Sequence, residues 1–289
     1  RLATLAAAVS MAGAALTAAP QTAAGRPAAI KFEEIAKQAG VQVQHHTRRF
    51  KGQSADVLRM FTSGGSSVAV ADFDNDGFED MYVTNSDEGT KSWLYRNNGD
   101  MTFTDVAGKM KVDGGNDPLS IVADALWFDY DNDGWKDLMI IRFGTPLLYH
   151  NEKGKAFTDV SSKTGLTKFG NTIAAMAFDY DNDGKLDLLF GNYFKPENLL
   201  DLKSPHVLPN DLDNAVNGGG TTLWKGDGKG AWVETTARAG LDKHTGWTLD
   251  VGHGDFDNDG RQDIYLACDY GPDKLYFNNG DGTFTDATD

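Results

Sequence analysis

Asp72-Phe73-Asp74-Asn75-Asp76-Gly77-Phe78-Glu79-Asp80 is the stretch on which the reading of this chain turns, because the same nine-residue pattern starts again at Asp129, Asp179 and Asp255. Every copy reads Asp-x-Asp-Asn-Asp-Gly-x-x-Asp, with Phe or Tyr in second place. Ser67-Val68-Ala69-Val70-Ala71 precedes the first copy, and Met81-Tyr82-Val83-Thr84, Trp93-Leu94-Tyr95-Arg96 and Thr102-Phe103-Thr104-Asp105-Val106 follow it. Short β-rich runs separated by turn residues read as strands, so one unit holds four. The starts at 72, 129, 179 and 255 lie 57, 50 and 76 residues apart, each long enough for such a unit. Self-similarity at this period marks a repeat architecture. The expected fold class is all-β: a β-propeller of four-stranded blades with four repeat units visible.

The extra length before Asp255 falls in Lys195 to Gly220, where Pro196, Pro205, Pro209 and Gly218-Gly219-Gly220 predict a long inserted loop. Third strands end in turns such as Asn97-Asn98-Gly99 and Asn278-Asn279-Gly280, where Asn-Gly supplies positive φ for an antiparallel hairpin. First strands carry small residues (Ala69 and Ala71; Ala174, Ala175 and Ala177; Gly252 and Gly254), as a crowded central axis requires. Phe32-Glu33-Glu34-Ile35-Ala36 looks like a further closing strand with no blade ahead of it, placed to close a ring.

The loop itself predicts a metal. Calcium takes six to eight oxygens, and acids at positions 1, 3, 5 and 9 supply four carboxylates from nine residues. The candidate ligands are Asp72, Asp74, Asp76 and Asp80; Asp129, Asp131, Asp133 and Asp137; Asp179, Asp181, Asp183 and Asp187; and Asp255, Asp257, Asp259 and Asp263. By analogy with other calcium loops, the position-seven carbonyls of Phe78, Trp135, Lys185 and Arg261 are further candidates, with side chains there free to vary. Gly77, Gly134, Gly184 and Gly260 permit the sharp turn. Four carboxylates about 5 Å apart repel by roughly 0.8 kcal/mol per pair even in water, so an empty loop should open. An EF-hand would need Glu at position twelve and flanking helices; Val83, Ile140, Phe190 and Leu266 stand there, inside β-rich runs. Magnesium, which retains water and takes few protein ligands, fits less well.

The net charge of −15 comes from the same loops: their patterned aspartates are sixteen of the 42 acids, and the other 26 nearly balance 27 Lys+Arg. Local acidity points to bound cations and away from nucleic acid. Residues 1–24 open with Arg1, continue as Leu2-Ala3-Thr4-Leu5-Ala6-Ala7-Ala8-Val9 and fade into Ala, Thr, Pro and Gly, the pattern of an export signal. No later segment could span a bilayer, so a secreted, periplasmic or cell-surface protein with no membrane span after signal removal is expected. The single cysteine, Cys268, excludes an intrachain disulfide and reads as a small buried hydrophobe.

The repeated Asp-Phe-Asp-Asn-Asp-Gly loop, followed by Leu94-Tyr95-Arg96-Asn97-Asn98-Gly99-Asp100 and Phe103-Thr104-Asp105-Val106, resembles FG-GAP/VCBS repeats. The stretch from Phe32 to Asp286 is similar to bacterial relatives of cartilage acidic protein, and integrin α-chain propellers use a similar loop. The resemblance implies one calcium per loop, about four in all, a propeller domain over residues 30–289, and a seven-bladed parent ring. It also implies a C-terminal ASPIC/UnbV-type domain beyond a truncated end. One hairpin departs from the pattern: Trp224-Lys225-Gly226-Asp227-Gly228 and Trp232-Val233-Glu234 replace Tyr-Arg-Asn-Asn-Gly and Phe-Thr-Asp.

Catalysis has no clear signature. His45, His46, His150, His206, His244 and His253 show no zinc spacing and read as surface or packing residues, with His45-His46, Arg48, Arg49 and Lys51 a solvated loop or small basic patch. Gly64-Gly65 and Gly218-Gly219-Gly220 lack the Lys-Ser/Thr of a phosphate loop and read as turns. Tyr193, Phe194, Trp224, Trp247 and Tyr270 could line a glycan or peptide site, but read better as core. The expected function is a calcium-dependent binding or adhesion module for a protein or glycan partner, not an enzyme. The alternative is a polysaccharide lyase or hydrolase on the same scaffold, which would need an acid–base pair outside the loops.

Overall fold

The computed structural model describes residues 31–50, 55, 58, 66–199 and 208–288. Residues 1–24, read above as an export signal, and Lys51, Gly64-Gly65 and His206 lie outside them. Among the described residues, sixteen strands form four antiparallel units, each running in chain order from an inner to an outer strand. Blade 1 is β1 (Val68–Ala71), β2 (Asp80–Val83), β3 (Trp93–Asn97) and β4 (Phe103–Asp105), followed by the short helix α1 (Ala107–Met110). Blade 2 is β5 (Ile121–Phe128), β6 (Asp137–Gly144), β7 (Leu147–Asn151) and β8 (Phe157–Asp159). Blade 3 is β9 (Gly170–Phe178), β10 (Asp187–Phe194), β11 (Gly220–Gly226) and β12 (Trp232–Glu234). Blade 4 is β13 (Trp247–Gly254), β14 (Asp263–Asp269), β15 (Lys274–Asn278) and β16 (Phe284–Asp286).

This is the all-β propeller architecture the repeat predicts. The inner strands β1, β5, β9 and β13 lie successively against one another, which explains their small residues. Blades 2 and 3 also share a ladder, because β6 pairs with β9 at Phe143–Asn171 and Gly144–Gly170. The long connection falls between β10 and β11, as the proline and glycine run predicts.

Side chains from adjacent blades make the core. The second residue of each of the first three loops points into the next blade: Phe73 lies near Phe157 with centroids 5.9 Å apart, Tyr130 near Trp232 at 6.0 Å, and Tyr180 near Phe284 at 6.0 Å. Backbone latches repeat the theme on the outer strands. The N–H of Trp232 donates to Thr164 O at 2.7 Å, that of Phe284 to Ala239 O at 2.9 Å, and that of Phe103 to Ala39 O at 2.8 Å.

Several expectations need correction. Residues 32–35 form no strand and Ala36 opens a turn; no described strand pairs with this segment, and an unpaired strand leaves its backbone groups unsatisfied. The turn after it survives as the Ala39 latch. Gly218-Gly219-Gly220 is not a free turn. A Cβ on these three would approach the backbone of Gly246, Phe194 and His244 to within 2.3, 2.2 and 2.2 Å, so the run is glycine because blades 3 and 4 close on it. Arg48 is buried and donates to Pro118 O, so it is an internal tie and not part of an open basic patch, whereas Arg49 is exposed and pairs with the buried Asp87 at 2.7 Å. Tyr193, Phe194 and Trp247 form one buried cluster with Tyr270 packed against it, while Trp224 belongs to another, in keeping with core roles.

His244 is 9% exposed, with Nε2 2.9 Å from Thr248 Oγ1 and 3.9 Å from Cys268 Sγ. Cys268 is half-buried, not fully, and burial raises its thiol to about 11. Burial, aided by Lys274, lowers His244 to about 4. The unfolded chain therefore takes up the proton first, and stability present above about pH 6.5 should decline as pH falls toward 4, by about 3 kcal/mol in all. Urea melts of wild type and His244→Gln should diverge over that range; identical slopes would assign the acid sensitivity elsewhere.

Candidate metal centre

Each loop joins the first and second strands of a blade, and its fold follows from three residue types. The fourth-place asparagines, Asn75, Asn132, Asn182 and Asn258, take left-handed backbone with φ of 53°, 58°, 56° and 61°, a conformation asparagine tolerates better than most side chains. The sixth-place glycines have φ of 80–90°. The first aspartate ties the turn together: its Oδ1 accepts from the N–H of position five at 2.9–3.1 Å, and its Oδ2 from the glycine N–H at 2.8–2.9 Å.

The ninth residues, Asp80, Asp137, Asp187 and Asp263, open the second strands and are fully buried. One carboxylate oxygen of each accepts from the N–H of position two (2.8–3.2 Å), the other from the last residue of the third strand: Asn97, Asn151, Gly226 or Asn278 (2.7–2.8 Å). Burial nonetheless pushes Asp80 up to about 6 and Asp187 to about 7, and raises Asp137. Their ionised forms are costly without a neutralising charge.

Carboxylate oxygens converge within 4.8 Å of one another in Asp72, Asp74 and Asp80, in Asp129, Asp131 and Asp133, in Asp179, Asp181 and Asp187, and in Asp255, Asp257 and Asp259. Asp131, Asp137 and His150 form a further group. Asp76 and Asp183 are drawn to basic side chains. Arg96 reaches Asp74 and, at 2.8 Å, Asp76, while Lys225 reaches Asp181 and, at 3.0 Å, Asp183. The donor set fits a hard cation: Asp74 Oδ1 and Asp181 Oδ1 are buried without a hydrogen-bond partner, and a buried bare carboxylate oxygen calls for a cation.

The seventh side chains vary in kind but not in place. A Cβ on the hairpin glycines Gly99, Gly154, Gly228 and Gly280 would come within 2.8–3.1 Å of Phe78, Trp135, Lys185 and Arg261, so each rests on its own blade's turn. That constraint replaces the expected freedom at this position.

A family profile described as FG-GAP-like repeat matches residues 72–125, 129–190 and 255–289, more than half of the chain and all four loops. The chain belongs to the FG-GAP-like repeat family. No curated protein matches this FG-GAP chain in sequence. Among solved structures it is similar to an Agrocybe aegerita lectin described as recognising non-reducing terminal N-acetylglucosamine (16% identity, TM-score 0.42, 78% of this chain and 52% of that one). It is also similar to a Bacillus licheniformis rhamnogalacturonan lyase (13% identity, TM-score 0.40, 76% and 41%). The FG-GAP chain thus spans about half the length, or less, of these structures. Among its described residues, no helix is long and apolar enough to cross a membrane.

Two functional features escaped the sequence reading. His150, grouped with surface or packing histidines, stands at the second loop, with Nδ1 3.2 Å from Asp137 Oδ1. Its signal was positional, since it occupies the third-strand place of Arg96 and Lys225. The second feature is the tie between loops and neighbouring blades: Asn151 Nδ2 donates to Phe73 O at 2.8 Å and Asn278 Nδ2 to Tyr180 O at 2.7 Å. Straightening a loop would therefore disturb the next blade.

Proposed function

We propose that this protein is an exported calcium-binding propeller that serves as a binding or adhesion module for a protein or glycan partner. The observation that carries the reading is the repeated loop with converging carboxylates, in which Asp74 Oδ1 and Asp181 Oδ1 are buried without a partner. Aspartates 1, 3, 5 and 9 of each loop, with the position-seven carbonyl, would hold the ion. A hard dication there removes the mutual repulsion of the carboxylates, which is the chemistry calcium supplies. The chain's own part is to fix the loop backbone through the first and ninth aspartates and to transmit that order through the Asn151 and Asn278 ties. With one cysteine in 289 residues, calcium takes the rigidifying place a disulfide holds in many exported domains. A module of this kind binds through an ordered rim and performs no chemistry.

Calorimetric titration of chelator-treated protein should give about four calcium ions per chain, one per loop. The variant Asp74→Ala should take up one fewer while keeping the other three sites. No heat and no stoichiometric uptake would overturn the metal reading. Glycan-array and extracellular-protein binding that is unchanged by chelator would overturn the calcium-dependent module.

A further inference from the structure

The next-to-last residue of the third strand of a blade stands beside that blade's acid loop in blades 1, 2 and 3. In blades 1 and 3 that residue is Arg96 or Lys225, each ion-paired with two aspartates of its loop. Both are permanent cations at neutral pH and offer no lone pair to a metal. In blade 4 the place is taken by Phe277. Blade 2 differs from all three, because His150 brings a ring nitrogen.

His150 Nδ1 lies 3.2 Å from Asp137 Oδ1 and 3.6 Å from Asp131 Oδ2, and these three ligand atoms fall within 4.8 Å of one another. Nδ1 is shielded from solvent and makes no hydrogen bond, although its side chain as a whole is 22% exposed. The ring is held edge-on to Tyr130, with centroids 5.8 Å apart. A solvent-shielded ring nitrogen set against two carboxylates is a ligand arrangement, distinct from the oxygen-only sets of the other loops.

Ligand chemistry bears on which ion fits, since imidazole suits zinc and other first-row transition metals, whereas calcium takes oxygen.

We infer that the second loop is a mixed nitrogen–oxygen metal site, in which His150 joins Asp131 and Asp137 and selects a first-row transition-metal dication over calcium. The inference rests on the reading that the other loops are calcium sites. Calcium would fill this loop only when no such metal competes.

The test uses the full chain, stripped of metal and titrated with zinc alone in excess calcium. One tightly held zinc per chain is expected, and His150→Arg, which restores the blade 1 residue, should weaken it by roughly 100-fold or more. Calcium uptake by the other loops reports that the variant has folded, and would fail separately if the calcium reading were wrong. Manganese bound at one equivalent should show nitrogen coupling by pulsed electron paramagnetic resonance in wild type and lose it in His150→Arg. Zinc affinity unchanged in the variant, zinc displaced by calcium from wild type, or manganese with no nitrogen coupling would each overturn the assignment.

Discussion

Calcium added to chelator-treated protein is expected to raise its unfolding free energy by on the order of 10 kcal/mol once all four loops are filled at 100 times their dissociation constants, because each such site adds about 2.7 kcal/mol. This is as large as the whole stability of an ordinary domain, so the chelated protein should melt far below the loaded one. The cause lies in the loops. Their carboxylates converge within 4.8 Å, the ninth aspartates are fully buried, and Asp74 Oδ1 and Asp181 Oδ1 lack partners. The loss on chelation should not be uniform. Arg96 and Lys225 each lie against two acids in loops 1 and 3 and partly replace the ion. The fourth loop has Phe277 at that place, and only Arg261 reaches Asp259. Hydrogen exchange in chelator should therefore rise most over residues 255–263, and the gain should spread to blade 3 through the Asn278–Tyr180 tie. Equal melting temperatures with and without calcium would refute the structural role of the metal.

What could be read in advance was what is local and repeated. The nine-residue loop, the strand that its last aspartate opens and the Asn-Gly hairpin each depend on a few neighbouring residues, so four copies in sequence specify four blades in space. What could not be read in advance depends on neighbours distant in sequence. His150 looks like any histidine until β7 is laid beside β6 and its ring nitrogen falls 3.2 Å from Asp137. Gly218-Gly219-Gly220 has the composition of a turn, and only the closure of blade 4 upon it shows why no Cβ is tolerated. The segment after Phe32 carries the letters of a closing strand, but a strand exists only where another pairs with it, and no described strand does. The asparagine in fourth place was visible in every copy, yet its left-handed backbone was not drawn from the sequence, although asparagine is among the residues that tolerate that conformation. The position-seven side chains seemed unconstrained for the opposite reason: their identities differ while the surface they cover is the same.

The second large effect is expected from a single substitution made at two equivalent places. Phe73 and Phe256 are both the second residue of their loops. Phe73 is fully buried, stacked at 6.2 Å on Trp127 and 5.9 Å from Phe157, and its carbonyl accepts from Asn151 of the next blade. Phe256 is 50% exposed. Phe73→Ala should open a cavity between blades 1 and 2 that the rigid sheets cannot fill, costing about 3–5 kcal/mol. Phe256→Ala removes the same atoms from the same loop geometry but from a half-solvated site, and should cost less than about 1 kcal/mol. Urea melts in saturating calcium isolate this difference from metal binding, and calcium stoichiometry should be unchanged in both variants, since neither side chain offers a ligand. Equal large losses would mean that the aromatic ring supports the loop itself, whereas equal small ones would mean that contacts between blades contribute little. The expected asymmetry would instead show that the second loop residue is selected by the next blade in the ring, so that the same sequence position which marks the metal loop also carries the propeller's cohesion.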